Sequence, residues 1–460
     1  MSDFSGKGGR AGSKQRKYDK KAYAASSSSS SSSRGGQDGK YGVEAWSTNS
    51  IADFQADMEL LRAQMQQQTT ESNDNGTSST ASSSTSSSAS SSSPSTSLSP
   101  APVSSSSSLG TIDGSLLEGG GQVLRNSIAY AALLGRPIRI HSIRAGRVKG
   151  GLKAQHLKGI QLVHTMTSGA LRNAEINSKE IEYEPGCGNF QQIESSSSTP
   201  MIGYNCDIGT AGATGLLIQC ALPVALFMPH PVELTLRGGT NASMAPLIDY
   251  SMMVFGPLMQ KWFGVDIKFE LVQRGFFPKG GGIVKVHTQP VESLRSIRVT
   301  ERGRITKITG LSLVTSRLPA HIAQRMASHA QKVLHKEMRD VPIEIESVLA
   351  PESESPMGEG VFLILLAHTS TGCILGSSSL GERGLQSETV AERCVESLTD
   401  NIYTGGCMDE YCQDQVIIFM ALAEGTSVIK TGPLTLHTRT CLVWAQWFTG
   451  ERDNDKSTVN

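Results

Sequence analysis

DGSLLEGGGQVLRNSIAYAALLGRPIRIHSIRAG, residues 113–146, contains one complete helix-then-strand step. Leu124, Ile128, Ala131 and Gly135 share one helical face, and Gly135 with Pro137 behind it reads as the stop. IRIHSIRAG then reads as a strand. Gly119 to Gly121 sit where the helix begins. Three glycines let the backbone approach an anion, and the free N–H groups of a helix start favour phosphate. Glu118, Gln122 and Arg125 follow at i, i+4 and i+7, on one face. A carboxylate beside a phosphate suits a shared divalent metal, and Arg125 supplies a charge-assisted donor. A tight turn with a surface ion pair is the competing reading, because EGGGQ matches neither the Walker pattern nor the dinucleotide fingerprint.

Working outward, VELTLRGG, IVKVHTQP and VFLILLAH also read as strands, with helical segments between them, so a mixed α/β protein is expected from Leu109 onward. Glycine clusters recur in EGGGQVLR, GTAGATGLLIQ, RGGTNASMAP and PKGGGIVKV, which hints at repeated α/β units of about a hundred residues. Residues 1–108 are different. Serine dominates, with the run Ser26 to Ser33 and PSTSLSPAPVSSSSS before Leu109, and too little apolar surface is present to offset chain entropy. Within this extension Ser50 to Gln68 has helical spacing, and the basic opening from Lys7 to Arg34 could serve nuclear import or loose RNA contact. Gln191 to Pro200, QQIESSSSTP, reads as a surface loop.

Composition excludes some classes. Lys plus Arg equals Asp plus Glu at 42 each, so any polyanion site must be local. The 8 cysteines form no CxxC pair, which points to a reduced, intracellular chain. No secretory segment opens the sequence, and its longest apolar run, Leu216 to Met228, is interrupted by Gln219 and Pro223, so no membrane partner is expected.

Four further stretches carry candidate chemistry. IRAGRVKGGLKAQHLKG concentrates Arg144, Arg147, Lys149, Lys153, His156 and Lys158, a patch suited to phosphates or equally a solvated loop. LVQRGFFPKGGGIVKV sets Arg274, Phe276, Phe277 and Lys279 together, as a base-stacking surface or a buried strand end. CMDEYCQDQVIIFMALAEG reads as a helix with Tyr411, Asp414 and Gln415 on one face, suited to a nucleoside but also ordinary for a helix surface. In TGPLTLHTRTCLVWAQWF, Cys441, Trp444, Ala445 and Phe448 mark a core-facing helix that Thr438 or Thr440 can cap. His437 is then at a helix N-terminal edge, where the dipole disfavours imidazolium and leaves a neutral nucleophile. From spacing alone a hydrogen-bonded structural histidine fits as well.

Taken together, DGSLLEGGGQVLR, IRAGR, GLKAQHLKG, TAGATGLLIQ, LRGGTNASMAPLIDY, RGFFPKGGG, TSTGCILGSSSLGERG, DEYCQDQ and TGPLTLHTRT closely resemble, in order from Thr111 to Phe448, the RNA 3'-terminal phosphate cyclases. The resemblance implies a large domain of three related α/β units, each of two helices on a four-stranded sheet, with a smaller inserted α/β domain. The expected boundaries are 109–301 and 405–450 for the large domain, 302–404 for the insert, and 451–460 for a polar tail. Family members continue into a closing strand, whereas TGERDNDKSTVN follows Phe448, so the last unit is expected to be shortened.

The implied activity is ATP-dependent conversion of an RNA 3'-phosphate to a 2',3'-cyclic phosphodiester through enzyme–histidine–AMP and RNA-(3')pp(5')A. His437 matches the nucleophile, Glu118 the acidic residue near the reacting phosphate and metal (Mg2+ or Mn2+), and Arg125 an arginine of the same motif. Arg144, Arg147 and Gln155 match positions for the RNA phosphate. Gln219, Pro246, Tyr411, Asp414 and Gln415 match the ATP pocket. RNA with a 3'-phosphate end is the implied partner, with no stable protein partner, and the nucleus is the implied location, with the cytoplasm as a second one. The runner-up is a non-catalytic ribosomal-RNA-processing or RNA-end-binding protein of the same fold.

Overall fold

The structure is a computed structural model that describes residues 41–46, 109–186, 200–355 and 357–450. The helical reading of Ser50 to Gln68, the basic opening and nearly all of QQIESSSSTP lie outside the described residues. It is an α/β protein with four-stranded sheets, as the sequence predicts.

One topology occurs twice. In the first sheet β2 (Gly110–Asp113), β3 (Ile138–His141), β4 (Ala170–Arg172) and β5 (Ile181–Glu184) lie in the order β2-β3-β5-β4. In the second, β6 (Ile202–Asp207), β7 (Val232–Gly238), β8 (Ile267–Gln273) and β9 (Gly282–Thr288) lie in the order β6-β7-β9-β8. In each, the first two strands are parallel and the other two pair antiparallel. The parallel pairs need helical crossovers, which α1 (Gly121–Leu134) and α3 (Thr214–Leu226) provide. Helix α2 (Ala154–Thr167) follows β3, and in the second unit a helical turn at Ile248–Tyr250, a π turn at Ser251–Phe255 and α4 (Gly256–Phe263) stand in the corresponding place. Helix α1 ends where the sequence says: Gly135 is left-handed at φ 61° and its N–H donates to the Ala131 carbonyl.

A third sheet comprises β12 (Ile305–Thr315), β13 (Ile343–Ala350), β14 (Val361–Thr369) and β15 (Ile374–Leu380), flanked by α5 (His321–Glu337) and α6 (Ser387–Tyr403). The continuous apolar run of β14 is explained by burial on both faces. Leu363, Leu365 and Ala367 join a cluster with Ala330, Leu334 and Leu398 of the two helices. Phe362, Ile364 and Leu366, which alternate with them, join the main core.

The last sheet centres on β16 (Ala423–Lys430), with β10 (Leu294–Arg295) and β11 (Arg298–Val299) parallel along one edge. Along its other edge runs β1 (Tyr41–Trp46), also parallel, in the register Tyr41 to Gly425 through Trp46 to Lys430. The extension read as lacking structure therefore supplies one described strand. After β16, α9 (Leu436–Thr449) packs on α1, with Tyr130 and Phe448 stacked at 5.1 Å. The predicted apolar face of α9 is buried: Cys441, Trp444, Ala445 and Phe448 all lie in the main core.

Candidate active site

The first turns of α1, α3 and α9 converge on a cleft of ≈ 340 Å³ lined by Arg125, Gln219, Pro246, Tyr411, Asp414 and His437. That is the lower range of a small-molecule site. The loop Ala242–Leu247 forms one wall, and Ser378 and Leu380 of β15 contribute to another. Gln415 lines a narrow adjoining pocket with Gln122, Gln219 and Asp414. Six of the residues matched on sequence thus share one space, although they come from positions as far apart in the chain as Arg125 and His437.

His437 is the second residue of α9 and faces solvent from the cleft. Its helix is capped by Thr435, whose hydroxyl accepts from the Thr438 N–H at 3.1 Å, so neither Thr438 nor Thr440 is the cap. The Thr440 hydroxyl instead donates to the Leu436 carbonyl and accepts from the Glu118 N–H, tying the glycine loop to α9. Desolvation by its neighbours lowers the His437 pKa; the Arg125 and Arg147 cations act the same way and the Glu118 carboxylate opposes them. The imidazole is neutral at neutral pH, with a lone pair free for attack.

Glu118 accepts from Arg147 Nη2 at 2.5 Å, while its Oε2 is buried with no hydrogen-bond partner. Gly120 is needed here, because a Cβ on it would overlap the Glu118 carboxylate. Glu118 precedes the helix, which starts at Gly121; Gln122 and Arg125 lie inside it and are buried. Arg125 Nη2 donates to Gln122 Oε1 at 2.5 Å, and Gln122 Nε2 donates to Asp414 Oδ2 at 3.2 Å. Burial pushes Asp414 up to about 7, against the pull of Arg125. Burial likewise lowers Arg125, against Asp414. Both shifts show how dry this end of the cleft is. Among the described residues no cluster of three His, Cys, Asp or Glu side chains could hold a metal alone. The unpartnered Oε2 of Glu118 fits a cation that takes its other oxygens from a polyphosphate.

The basic stretch divides. Arg147 reaches Glu118, and Arg144, at φ 55°, is held by the carbonyls of Lys149 and Gly151 at 3.1 and 3.2 Å. Gln155 Oε1 accepts from the Ala213 N–H at 3.2 Å, at the start of α3. None of these three lines the cleft itself. His156 leaves the cationic patch altogether: it is buried, and desolvation with the Arg125 charge drives its pKa down to about 3. It packs where a Cβ on Gly121 would lie 2.6 Å from its Nε2, so that glycine admits the histidine beside Arg125.

RGFFPKGGG is also two things at once. Arg274 is buried, donating to Asp249 at 2.8 Å and to Glu354 at 2.6 Å, and Phe276 is core, whereas Phe277 and Lys279 are exposed. The helix expected across CMDEYCQDQVIIFMALAEG is broken into α7 (Cys412–Gln415) and α8 (Ile417–Leu422). It starts late because Asp409 accepts the N–H groups of Tyr411 and Cys412, both at 2.9 Å. Asp409, which sequence reading passed over, also accepts from the Tyr250 hydroxyl and the Gly376 N–H, each at 2.7 Å. An aspartate two to three residues ahead of a helical face was the available signal.

The family model for RNA 3'-terminal phosphate cyclase matches residues 116–452. A Dictyostelium discoideum protein described as "Probable RNA 3'-terminal phosphate cyclase" is 41% identical over 344 residues, 74% of this chain and 76% of its own. An RNA 3'-terminal phosphate cyclase of Pyrobaculum aerophilum is 38% identical over 332 residues, 72% of this chain and 89% of its own. One from Drosophila melanogaster is 35% identical over 339 residues, 74% of this chain and 90% of its own. With the match running from the glycine loop through the last turn of α9, the chain belongs to the RNA 3'-terminal phosphate cyclase family.

Proposed function

We propose that the chain converts RNA 3'-terminal phosphates to 2',3'-cyclic phosphodiesters at the expense of ATP, with His437 as the nucleophile. The carrying observation is that His437, neutral at the start of α9, opens into the same cleft as Arg125, Gln219, Tyr411 and Asp414. A ring nitrogen of His437 attacks the α-phosphorus of ATP, and pyrophosphate leaves. An oxygen of the RNA 3'-phosphate then attacks the phosphoramidate, so AMP passes to the RNA and the histidine returns. The vicinal 2'-hydroxyl attacks the RNA phosphorus, its proton is lost, and AMP departs as the ring closes.

Arg125, cationic and desolvated, holds α- and β-phosphate oxygens where charge develops. A magnesium or manganese ion shared between Glu118 and the polyphosphate would supply further charge neutralisation for the leaving pyrophosphate. Tyr411, Gln219, Pro246, Asp414 and Gln415 hold the nucleoside, and Arg144, Arg147 and Gln155, on the flank past Glu118, take the RNA phosphate. Residence in the nucleus belongs to the same reading; a tagged chain seen only in the cytoplasm removes it.

The test is incubation with α-labelled ATP and magnesium. An acid-labile, alkali-stable AMP adduct forms on the parent protein and is lost in His437→Ala. Absence of label on the parent overturns the enzyme reading. Label without cyclisation of an RNA 3'-phosphate overturns the acceptor.

A further inference from the structure

We propose that Phe277, on the turn between β8 and β9, is a stacking platform for a base of the RNA strand just upstream of its 3'-phosphate. The inference rests on the proposed function, in that it takes the cleft as the seat of an RNA end.

The turn is anchored on every side except the one that carries this ring. Arg274 is pinned by Asp249 and Glu354. The Phe276 ring is buried, and a Cβ on Gly360 would overlap it. The Gly280 N–H donates to the Phe276 carbonyl at 2.7 Å, and the Gly275 carbonyl accepts from Thr240 and Asn241 at 2.9 and 3.2 Å. Phe277, between those anchors, is 78% exposed.

Its neighbours locate it. Asn241 pairs with Phe276, and the next residues, Ala242–Leu247, are a wall of the cleft. On the other side Gly280 lies against the backbone of Thr210 and Ala211, two residues from the Ala213 N–H that Gln155 accepts. Phe277 therefore stands at the rim between the nucleotide wall and Gln155.

Single exposed apolar residues are ordinary on a surface. Here, however, the three most exposed large apolar side chains among the described residues are Val148 at 105%, Met244 at 97% and Phe277 at 78%. Met244 lines the cleft, and Val148 follows Arg147, whose guanidinium holds Glu118. Cations alternate with them, since Lys149 follows Val148 and Lys279 lies two residues past Phe277, both exposed. Phe277 alone among the three has a flat aromatic face, and with exposed lysines on the same loops it matches a base carried on an anionic backbone, which is single-stranded RNA. A fixed aromatic meets a base with little ordering cost.

The experiment measures binding of a short single-stranded RNA ending in a 3'-phosphate, without ATP. Phe277→Ala weakens it about 10-fold, as loss of one base–aromatic stack does, and Phe277→Trp restores it. With the bases near the 3' end removed and the sugar–phosphate chain kept, parent and Phe277→Ala bind alike. Equal binding of intact RNA by parent and Phe277→Ala overturns the proposal, as does an equal loss with the abasic strand. Preferential capture of an acidic peptide by the rim, abolished in Phe277→Ala without any change for RNA, also overturns it. AMP labelling of the parent protein, measured without RNA, judges the proposed function separately.

Discussion

The Tyr250 hydroxyl donates to the Asp409 carboxylate at 2.7 Å, in the buried seam where the second unit meets β15 and the loop leading to Tyr411. The same carboxylate accepts the Gly376 N–H of β15 and caps the turn that presents Tyr411. One side chain thus registers three segments around the cleft. Burial pushes its pKa up to about 6, over the opposing effect of its donors, so it is mostly ionised at neutral pH. Asp409→Ala leaves those donors buried without an acceptor, and about 3 kcal/mol of stability is lost. Tyr250→Phe removes one donor and costs about 1 kcal/mol. Denaturant unfolding measures both, and ATP titration shows a weaker KM for Asp409→Ala because Tyr411 loses its cap.

Gly120 and Gly146 form a matched pair for substitution. A Cβ on Gly120 would strike the Glu118 carboxylate, whereas one on Gly146 would meet nothing within 4 Å. Displacing Glu118 by an ångström misplaces the reacting polyphosphate, so Gly120→Ala lowers the rate of AMP transfer about 100-fold. Gly146→Ala leaves it unchanged. Single-turnover labelling of His437 compares them, and equal rates would show that Glu118 is not fixed by this contact.

Periodicity made α1, its Gly135 stop and the buried face of α9 legible, because each is a repeat within one element. The cleft residues were legible only through ordered motifs, since no spacing rule links Arg125 to His437. Arg274 misled for the opposite reason. Its partners Asp249 and Glu354 lie 25 and 80 residues away, and nothing local marks an arginine as one half of a buried pair. His156 looked cationic beside five lysines and arginines, but packing against Gly121 and Arg125 decides its charge. The strand Tyr41–Trp46 was hidden by the serine-rich composition around it.

Asp414 sets a pH dependence of stability. Its folded pKa is raised to about 7 from 3.8, chiefly by burial, with Arg125 opposing and Asp409 adding. Above the unfolded value the unfolded chain has lost a proton that the folded chain keeps, so stability falls as pH climbs toward about 7. The loss attributable to this group between about pH 5 and about pH 8 is ~2 kcal/mol. Asp414→Asn removes that slope, leaving the shallower fall from Asp409. Urea unfolding at the two pH values measures it; identical slopes in parent and variant would show that Asp414 is ionised throughout.

In the first two sheets an antiparallel strand covers the edge beside β3 and β7, namely β5 and β9. The corresponding edge of β16 is covered by β1, in parallel. An edge left bare exposes a row of N–H and C=O groups ready to pair with another chain. Each ladder bond gained is worth about 1 kcal/mol net, but ordering the strand costs nearly as much per residue, so β1 contributes only ~2 kcal/mol. Removing residues 1–50 therefore lowers Tm by a few degrees rather than unfolding the chain, and it promotes self-association through β16. Val43→Pro, in the middle of the strand, reproduces the effect because proline cannot donate to a ladder. Calorimetry and light scattering read the two consequences, and amide exchange across Ala423–Lys430 accelerates in both variants. Unchanged exchange there would mean that β1 does not occupy this edge in solution.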